Sequence, residues 1–517
     1  MKDRNLRYGV VISIITLFVT LLGTLFITNR VLNLIGDYNY GLYSFVNSIT
    51  TWLTVVSTAL VASYLRFASL EAKNNENDIS KTNSLYLKTL LLISLPSLII
   101  GELIIVFLFV FKVNFASYDW EDSKIIYFLF AFSLLNISIS FPATVFSQYI
   151  NYKQKFIFEK SVLLITTILQ FIIHFLIAFF TKSILLIAVY AVFSTLFTLA
   201  LNYIFCKKSL GIKFGKFKFS ENKSLVKSVI AFSSVLVLNS VVDQISQQTD
   251  KTLLGFFSSP ENVTIYQMGM QLSTYLSMMG VAVSSVFAPR IYELYVDGKH
   301  EEINTTFLFV SRIQAVIATF ISFGFVACGH DFVMWWLGPK RINAYYCGAT
   351  LMVLNIMSLS TKLSIDVQRA ANKHGFRSVL YLTAAIINIT ISIVLLILMP
   401  KEHAVFACLI GTVISNVICQ WIIMTIYNKK VIRLPMEKHI IQVGKLILFG
   451  AASVTVSVLS GLLLLKGYNS FFIRFVVEGA VYVAVYVFLL LLFDRRFLVG
   501  VLSRKRAKGG AENGASN

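Results

Sequence analysis

Long stretches without a charged residue constrain this chain more than any other feature of its sequence. Eleven runs lack Asp, Glu, Lys and Arg and have about the 20 residues that a helix needs to cross a hydrocarbon layer of about 30 Å. Three further runs of that length contain one acid each, Glu102, Asp243 and Glu478. Because barrel strands are only about half as long, the runs predict an all-α integral membrane protein with about 14 transmembrane helices.

The composition agrees with a membrane protein. Of the 517 residues, 57% are hydrophobic and 14% are charged. A soluble protein needs about a quarter of its residues charged to cover its surface. The composition therefore excludes a string of soluble domains.

The basic residues predict the orientation of the helices. With the amino terminus placed in the cytoplasm, about four times as many Lys and Arg residues fall in inward connections as in outward ones. This bias predicts that both termini are cytoplasmic. It also explains the net charge of +20 by topology and by contact with anionic lipid, so no nucleic-acid partner is expected.

The connections between the helices are too short for an enzyme domain. The largest inward connection, Lys207 to Lys227, carries seven lysines but no phosphate-binding GxxxxGK[ST] loop, and the chain has no HExxH or CxxC motif. No catalytic residues, metal or cofactor are therefore expected. A secondary transporter, a flippase or a channel remains.

Weak internal similarity predicts a duplicated core. A shift of 220 residues places Gln148, Lys153 and Phe156 on Gln368, Lys373 and Phe376. The predicted organisation is an N-terminal six-helix lobe (1–206), a basic cytoplasmic linker (207–228), a C-terminal six-helix lobe (229–428), two additional transmembrane helices (429–493) and a disordered basic cytoplasmic tail (494–517).

Four short motifs resemble those of one transporter family. They run from Arg30 to Gly36 with Gly41 and Tyr43, from Asp250 to Gly255 with Tyr266, from Leu337 to Ala344, and from Ala370 through Lys373 to Asn388. In this order they are similar to the Wzx-type polysaccharide transporters, the lipid-linked oligosaccharide flippases of the multidrug, oligosaccharidyl-lipid and polysaccharide exporter superfamily. Asn33, Thr264 and Arg341 depart from the family pattern.

The resemblance implies a two-lobed bundle that works by alternating access. Its substrate would be an undecaprenyl-diphosphate-linked glycan repeat unit, a precursor of O-antigen, capsule, exopolysaccharide or teichoic acid, in the bacterial inner membrane. The implied partners are this lipid-linked oligosaccharide, membrane lipids, and a glycan polymerase or glycosyltransferase.

An anionic diphosphate requires fixed cations in the cavity, and a cation inside a span is costly unless it faces protein or water. The candidate substrate-binding residues are Arg30, Arg66, Lys251, Arg290, Arg312 and Lys362. The alternative is local neutralisation, of Lys251 by Asp250 and of Lys362 by Asp366, or ordinary anchoring at inner helix ends for Arg66 and Arg290.

Three acids are candidates for ion coupling, because burial favours the protonated carboxyl: Glu102, Asp243 and Asp250. Two other functions compete with the flippase. A drug or cation antiporter of the same superfamily would need an acidic site in the N-terminal lobe, where Glu102 is the only acid within a span. A glycan polymerase or ligase would need larger outer loops.

Overall fold

The structure is a computed structural model that describes residues 2–74, 78–220, 222–373, 375–464 and 470–514. Within these ranges the regular structure is entirely helical. The predicted fold class, an all-α membrane protein, is confirmed.

The first nine α-helices alternate along the chain with short connections. A π-helical turn, Thr24–Thr28, joins the first two, and a 3-10 turn, Thr51–Leu53, joins the third and fourth. The helices are α1 (Lys2–Gly23), α2 (Asn29–Ile35), α3 (Asp37–Thr50), α4 (Thr54–Asn74), α5 (Ser80–Val110), α6 (Trp120–Tyr152), α7 (Phe156–Thr181), α8 (Ile184–Lys208) and α9 (Lys223–Phe257).

The remaining helices include a second π-helical segment, Val417–Ile423, which joins α15 to α16. They are α10 (Pro260–Val296), α11 (His300–Trp336), α12 (Asn343–Ser360), α13 (Lys362–Ala370), α14 (Gly375–Leu398), α15 (Ala404–Asn416), α16 (Met424–Lys430), α17 (Met436–Leu464) and α18 (Phe471–Gly514).

Twelve helical segments of the described chain are long and apolar enough to cross a membrane. They coincide with twelve of the fourteen predicted spans. The other two predicted spans fall on α9 and α10, of 35 and 37 residues, where several side chains lie outside the described part of the structure, so these two stay predictions. The protein is a multi-pass membrane protein.

These helices expose large apolar side chains, as expected for helices that contact lipid. In α5, Leu92, Leu103 and Phe107 are each more than half exposed. Apolar side chains that protrude over the whole length of a helix are suited to lipid and not to water.

The helices group into two compact units. The first comprises Met1–Thr264 and Tyr381–Gly411, and the second Ile265–Leu380 and Thr412–Asn517. The predicted lobes divide the chain elsewhere, between 206 and 229, because they follow the sequence repeat; in the structure α9 packs on α3 and α4 and so belongs to the first unit. The repeat itself stays a prediction.

Two motif glycines have a clear structural reason. Gly36 ends α2 with φ +89°, a left-handed conformation that glycine adopts without strain, and its N–H bonds the carbonyl of Leu32. Gly255 lies against the ring of Phe45, where an added Cβ would come within 1.9 Å of a ring carbon. The two motifs therefore fix how the chain turns after α2 and how closely α9 approaches α3.

The basic linker is attached to the amino end of α5. Asn83 and Ser84 donate hydrogen bonds to the carbonyls of Lys213 and Gly215 at 3.0 and 2.9 Å. Lys88 donates to the carbonyl of Phe217 at 2.7 Å, and the Phe217 side chain is buried. The linker is thus an ordered strap over its first half.

The last helix is interrupted at Asp494, whose φ and ψ of −136° and 21° are not helical. The helix continues beyond it to Gly514, over the segment for which the sequence predicts a disordered tail. The disorder stays a prediction.

Candidate functional site

Lys251 is the most deeply buried of the six candidate cations. It lies near the end of α9 with 8% of its surface exposed, next to Asp250 at 7%. In the part of the chain that the structure describes, its ammonium has no hydrogen bond and no ion pair within 4 Å. A buried charge without such a partner is unfavourable, so the fold retains Lys251 at some loss of stability.

The neighbouring carboxylate is directed to a different helix. Asp250 Oδ1 accepts a hydrogen bond from Asn388 Nδ2 of α14 at 3.0 Å. Asn388 Oδ1 in turn accepts from the hydroxyl of Ser392, also at 3.0 Å. Gly411 allows this arrangement, because a Cβ there would come within 2.6 Å of Asn388 Oδ1. This network positions Asp250 between α9 and α14.

Lys362 begins α13 and is half-buried. The sequence offers Asp366, one turn further on, as its partner. In the structure the Asp366 carboxylate forms its ion pair with Arg369 at 3.6 Å instead. Lys362 has no ion pair within 4 Å among the described residues, although the charge of Asp366 is near enough to act on it.

Arg312 and Arg290 have acidic partners in the second unit. Arg312 of α11 forms an ion pair with the buried Asp494 at the break in α18. Arg290 is exposed and bonds Glu293 at 3.5 Å and Glu302 at 3.3 Å. The charge of each arginine is therefore largely balanced within the protein.

Arg66 and Arg30 are exposed arginines of the first unit. The guanidinium carbon of Arg66 lies 4.2 Å from the ring centroid of Phe232 in α9, a cation–π contact. Arg30 lies at the edge of a small apolar pocket of about 230 Å³ together with Phe26, Ile172 and Phe175. Neither has an ion pair in the described chain.

The coupling candidates lie in different surroundings. Glu102 is half-buried on α5, beside the exposed Leu103, and has no hydrogen bond within the described residues. Asp243 lies on α9, and its side chain is outside the described part of the structure. Asp250 is the only one of the three whose carboxylate contacts are described.

Sequence reasoning missed a polar cavity inside the first unit. About 150 Å³ of space lies between α3, α6 and α8. Its polar lining consists of Tyr43, Asn47, Thr50, Thr51, Thr54, Ser133 and Asn136. The Asn136 carbonyl oxygen is buried there without a hydrogen-bond partner. Neutral groups of this kind suit water or a hydroxyl-bearing ligand. The sequence feature that could have indicated this cavity is the helical spacing of Asn and Thr residues in α3.

A buried tyrosine attaches the loop before α6 to the end of α9. The Tyr118 hydroxyl donates to the carbonyl of Gly255 at 2.7 Å. Burial raises the pKa of this phenol above its usual value, so it stays a donor at neutral pH.

No group of three or more metal-binding side chains occurs among the described residues. All five cysteines are buried, and none of them forms a disulfide in the described part of the chain.

The sequence profile of the family described as "polysaccharide biosynthesis protein" matches residues 6–295. No curated protein sequence matches the chain. Among solved structures, a lipid II flippase, MurJ, in an inward closed conformation is similar over 95% of this chain and 100% of its own, with TM-score 0.66 and 14% identity. An inward-facing multidrug resistance transporter of the MATE family, in the MOP superfamily, is similar over 85% and 98%, with TM-score 0.55 and 13% identity. The eukaryotic MATE transporter AtDTX14 follows at 87% and 99%, with TM-score 0.52 and 12% identity. At these identities the likeness establishes the fold.

Proposed function

Because the chain belongs to the polysaccharide biosynthesis protein family, we propose that it is a flippase for undecaprenyl-diphosphate-linked glycan repeat units. The chain is a membrane transporter and not an enzyme. The glycan is a precursor of O-antigen, capsule, exopolysaccharide or teichoic acid, and the membrane is the bacterial inner membrane. The fold shared with a lipid II flippase supports this proposal.

The buried Lys251 is the observation that carries the proposal. Its acidic neighbour Asp250 is bonded to Asn388, which leaves the ammonium without a hydrogen bond among the described residues. An ammonium at this depth is stabilised when a mobile anion reaches it. A diphosphate is such an anion, and small cationic drugs are not. This charge therefore favours the flippase over the drug or cation antiporter.

Lys362 extends the same argument to the second unit, since its expected partner Asp366 bonds Arg369. Arg66 and Arg30 supply exposed cations of the first unit that have no acidic partner in the described chain. We infer that these four bind the diphosphate in successive steps of transport. Arg290 and Arg312 each form an ion pair with a carboxylate in this structure. They would bind the diphosphate only after leaving that carboxylate.

Asp250 is the first candidate for the residue that couples transport to an ion. Its carboxylate joins α9 to α14 through Asn388, so protonation or cation binding there would change a contact between two helices. Glu102 and Asp243 are the further coupling candidates. A glycan polymerase and glycosyltransferases are the proposed partners that use or supply the lipid-linked unit.

The test is depletion of the protein in its native host. Undecaprenyl-linked repeat units are expected to accumulate on the cytoplasmic face, as measured by their inaccessibility to an added periplasmic probe. The wild-type protein and Lys401→Met, which removes an exposed cation, are expected to reverse the accumulation; Lys251→Met is not.

Normal amounts of lipid-linked glycan on depletion, in a strain without a second flippase, would overturn the proposal. Drug efflux would then be measured, since the antiporter is the competing function.

A further inference from the structure

A second cationic feature lies outside all the candidate residues. It is a pocket of about 640 Å³ in the second unit, where the end of α10 and the start of α11 meet the connections after α13 and α16. Its lining is Tyr295, His300, Asn304, Lys373, Lys430 and Arg433 at the rim, over apolar residues that include Ile303, Val367 and Leu434. We call it the rim pocket.

The charged side chains that line the rim pocket are all cations. Lys373, Lys430 and Arg433 line it, and no carboxylate does. Acids on the packed elements lie outside the lining: Glu302 bonds Arg290, Glu437 bonds Lys429 and Asp366 bonds Arg369, while Glu301, next to His300, has no ion pair among the described residues. Lys430 and Arg433 have no ion pair in the described ranges.

The pocket is held in shape by contacts between its two connections. Lys373 Nζ donates to the carbonyl of Val431 at 3.3 Å, and the Tyr427 hydroxyl donates to the carbonyl of Lys373 at 2.6 Å. The rings of Tyr427 and Phe376 stack with centroids 4.3 Å apart. Ile303, Val367 and Leu434 are buried beneath, so the floor belongs to the hydrophobic core. The cations are therefore presented by an ordered wall.

The backbone at Arg433 is in a conformation that arginine rarely adopts. Its φ is +63°, in the left-handed region that glycine and asparagine enter at lower cost. The next residue fixes it, because Leu434 N–H bonds the carbonyl of Asn428 at 3.0 Å. Asn428 is buried and bonds Gln368 at 2.7 Å. An arginine at this turn contributes a side chain to the pocket that glycine would not.

We propose that the rim pocket binds a phosphate-bearing group with two or more negative charges. Three cations without a competing carboxylate recognise phosphate. The apolar floor can contact the part of the ligand next to the phosphate. The phosphate could belong to an anionic lipid headgroup or to a soluble compound. This goes beyond the proposed flippase function, because no candidate transport residue lines the pocket.

The test uses the full-length protein and two probes. The protein in neutral detergent is titrated with inorganic pyrophosphate, and separately it is placed in nanodiscs with phosphatidylglycerol or phosphatidylcholine and analysed for bound lipid by native mass spectrometry. Lys430→Gln with Arg433→Gly removes two rim cations and relieves the turn. Lys401→Gln with Lys438→Gln removes two exposed cations that do not line the pocket and form no ion pair in the described chain.

The rim variant is expected to bind at least one probe about tenfold more weakly than wild type, and the control variant is expected to bind like wild type. Loss of phosphatidylglycerol alone identifies a lipid headgroup, and loss of pyrophosphate alone identifies a soluble ligand. Equal losses in the two variants, or no binding of either probe to wild type, would overturn the proposal. Lys430→Gln alone repeats the test should the double variant unfold.

Discussion

Lys251 in the first unit and Arg312 in the second are both cations within long helices, but they differ in their partners. Arg312 has an acid on α18, 182 residues away along the chain, while Lys251 has an acid as its immediate neighbour and does not bond it. The comparison shows that a cation close to an acid in sequence can remain without a hydrogen bond. A cation without a nearby acid in sequence can be fully paired.

The largest expected effect is on stability in the second unit. Arg312→Met leaves Asp494 buried without its partner, and the free energy of unfolding is expected to fall by about 3 kcal/mol. Adding Asp494→Leu is expected to restore most of this loss, because the unpaired charge is removed as well. Thermal unfolding in detergent measures both. A double variant as unstable as the single one would show that the ion pair is not the reason.

Lys251→Met is expected to lower transport without lowering stability, the opposite of what is expected for Arg312→Met. Transport of a polyprenyl-diphosphate-linked glycan into proteoliposomes should fall about tenfold to a hundredfold, because the charge that binds the diphosphate is gone. Thermal stability should stay the same or rise, since a buried charge has been removed. Lys401→Met is the control. Transport at the wild-type rate by Lys251→Met would contradict the proposed role.

Asn388→Leu sharpens the comparison by removing one hydrogen bond of Asp250. Loss of the 3.0 Å hydrogen bond is expected to lower the free energy of unfolding by about 1–2 kcal/mol. Without the Asn388 donor on the side of α14, the charge of Asp250 is expected to act more strongly on the neighbouring Lys251, so transport should also fall. In the double variant with Lys251→Met, transport should be no lower than in Lys251→Met alone. Additive losses would mean that Asn388 acts independently of Lys251.

The smallest effect is expected at Arg290. Its two glutamate partners and its own side chain are exposed, and exposed ion pairs contribute about 0–1 kcal/mol. Arg290→Gln should change the thermal unfolding temperature only slightly. It should lower transport less than Lys251→Met does. A loss of transport as large as that of Lys251→Met would show that pairing in this structure does not exclude a role in binding.

The helices could be predicted from the sequence because each is a local pattern. Charge-free runs of about 20 residues have one stable structure in lipid, whatever the rest of the chain does. The two remaining predicted spans fall on α9 and α10, where several side chains lie outside the described residues, and they stay predictions.

The partners of the site residues could not be predicted in this way. The bond from Asn388 to Asp250 joins residues 138 positions apart, and the sequence suggested Lys251 as the partner of Asp250. It also suggested Lys362 for Asp366, which bonds Arg369. A charged side chain can contact several residues one turn away on its own helix, and tertiary packing decides which of them becomes its partner. The strap of Lys213, Gly215 and Phe217 could not be predicted either, since it is held by its backbone carbonyls, which accept hydrogen bonds from side chains of α5.

The π-helical turn at Thr24–Thr28 affects which single-residue deletions the segment from α1 to α2 can accept. A π turn is what an α-helix becomes when it accommodates one additional residue. Loss of one residue between Thr24 and Thr28 would leave a plain α-helix with Arg30 still facing its present side. The same loss a few residues earlier would rotate one part of the helix by about 100° relative to the other. The turn thus makes this short segment of the gene tolerant to a change in length that its neighbours would not accept.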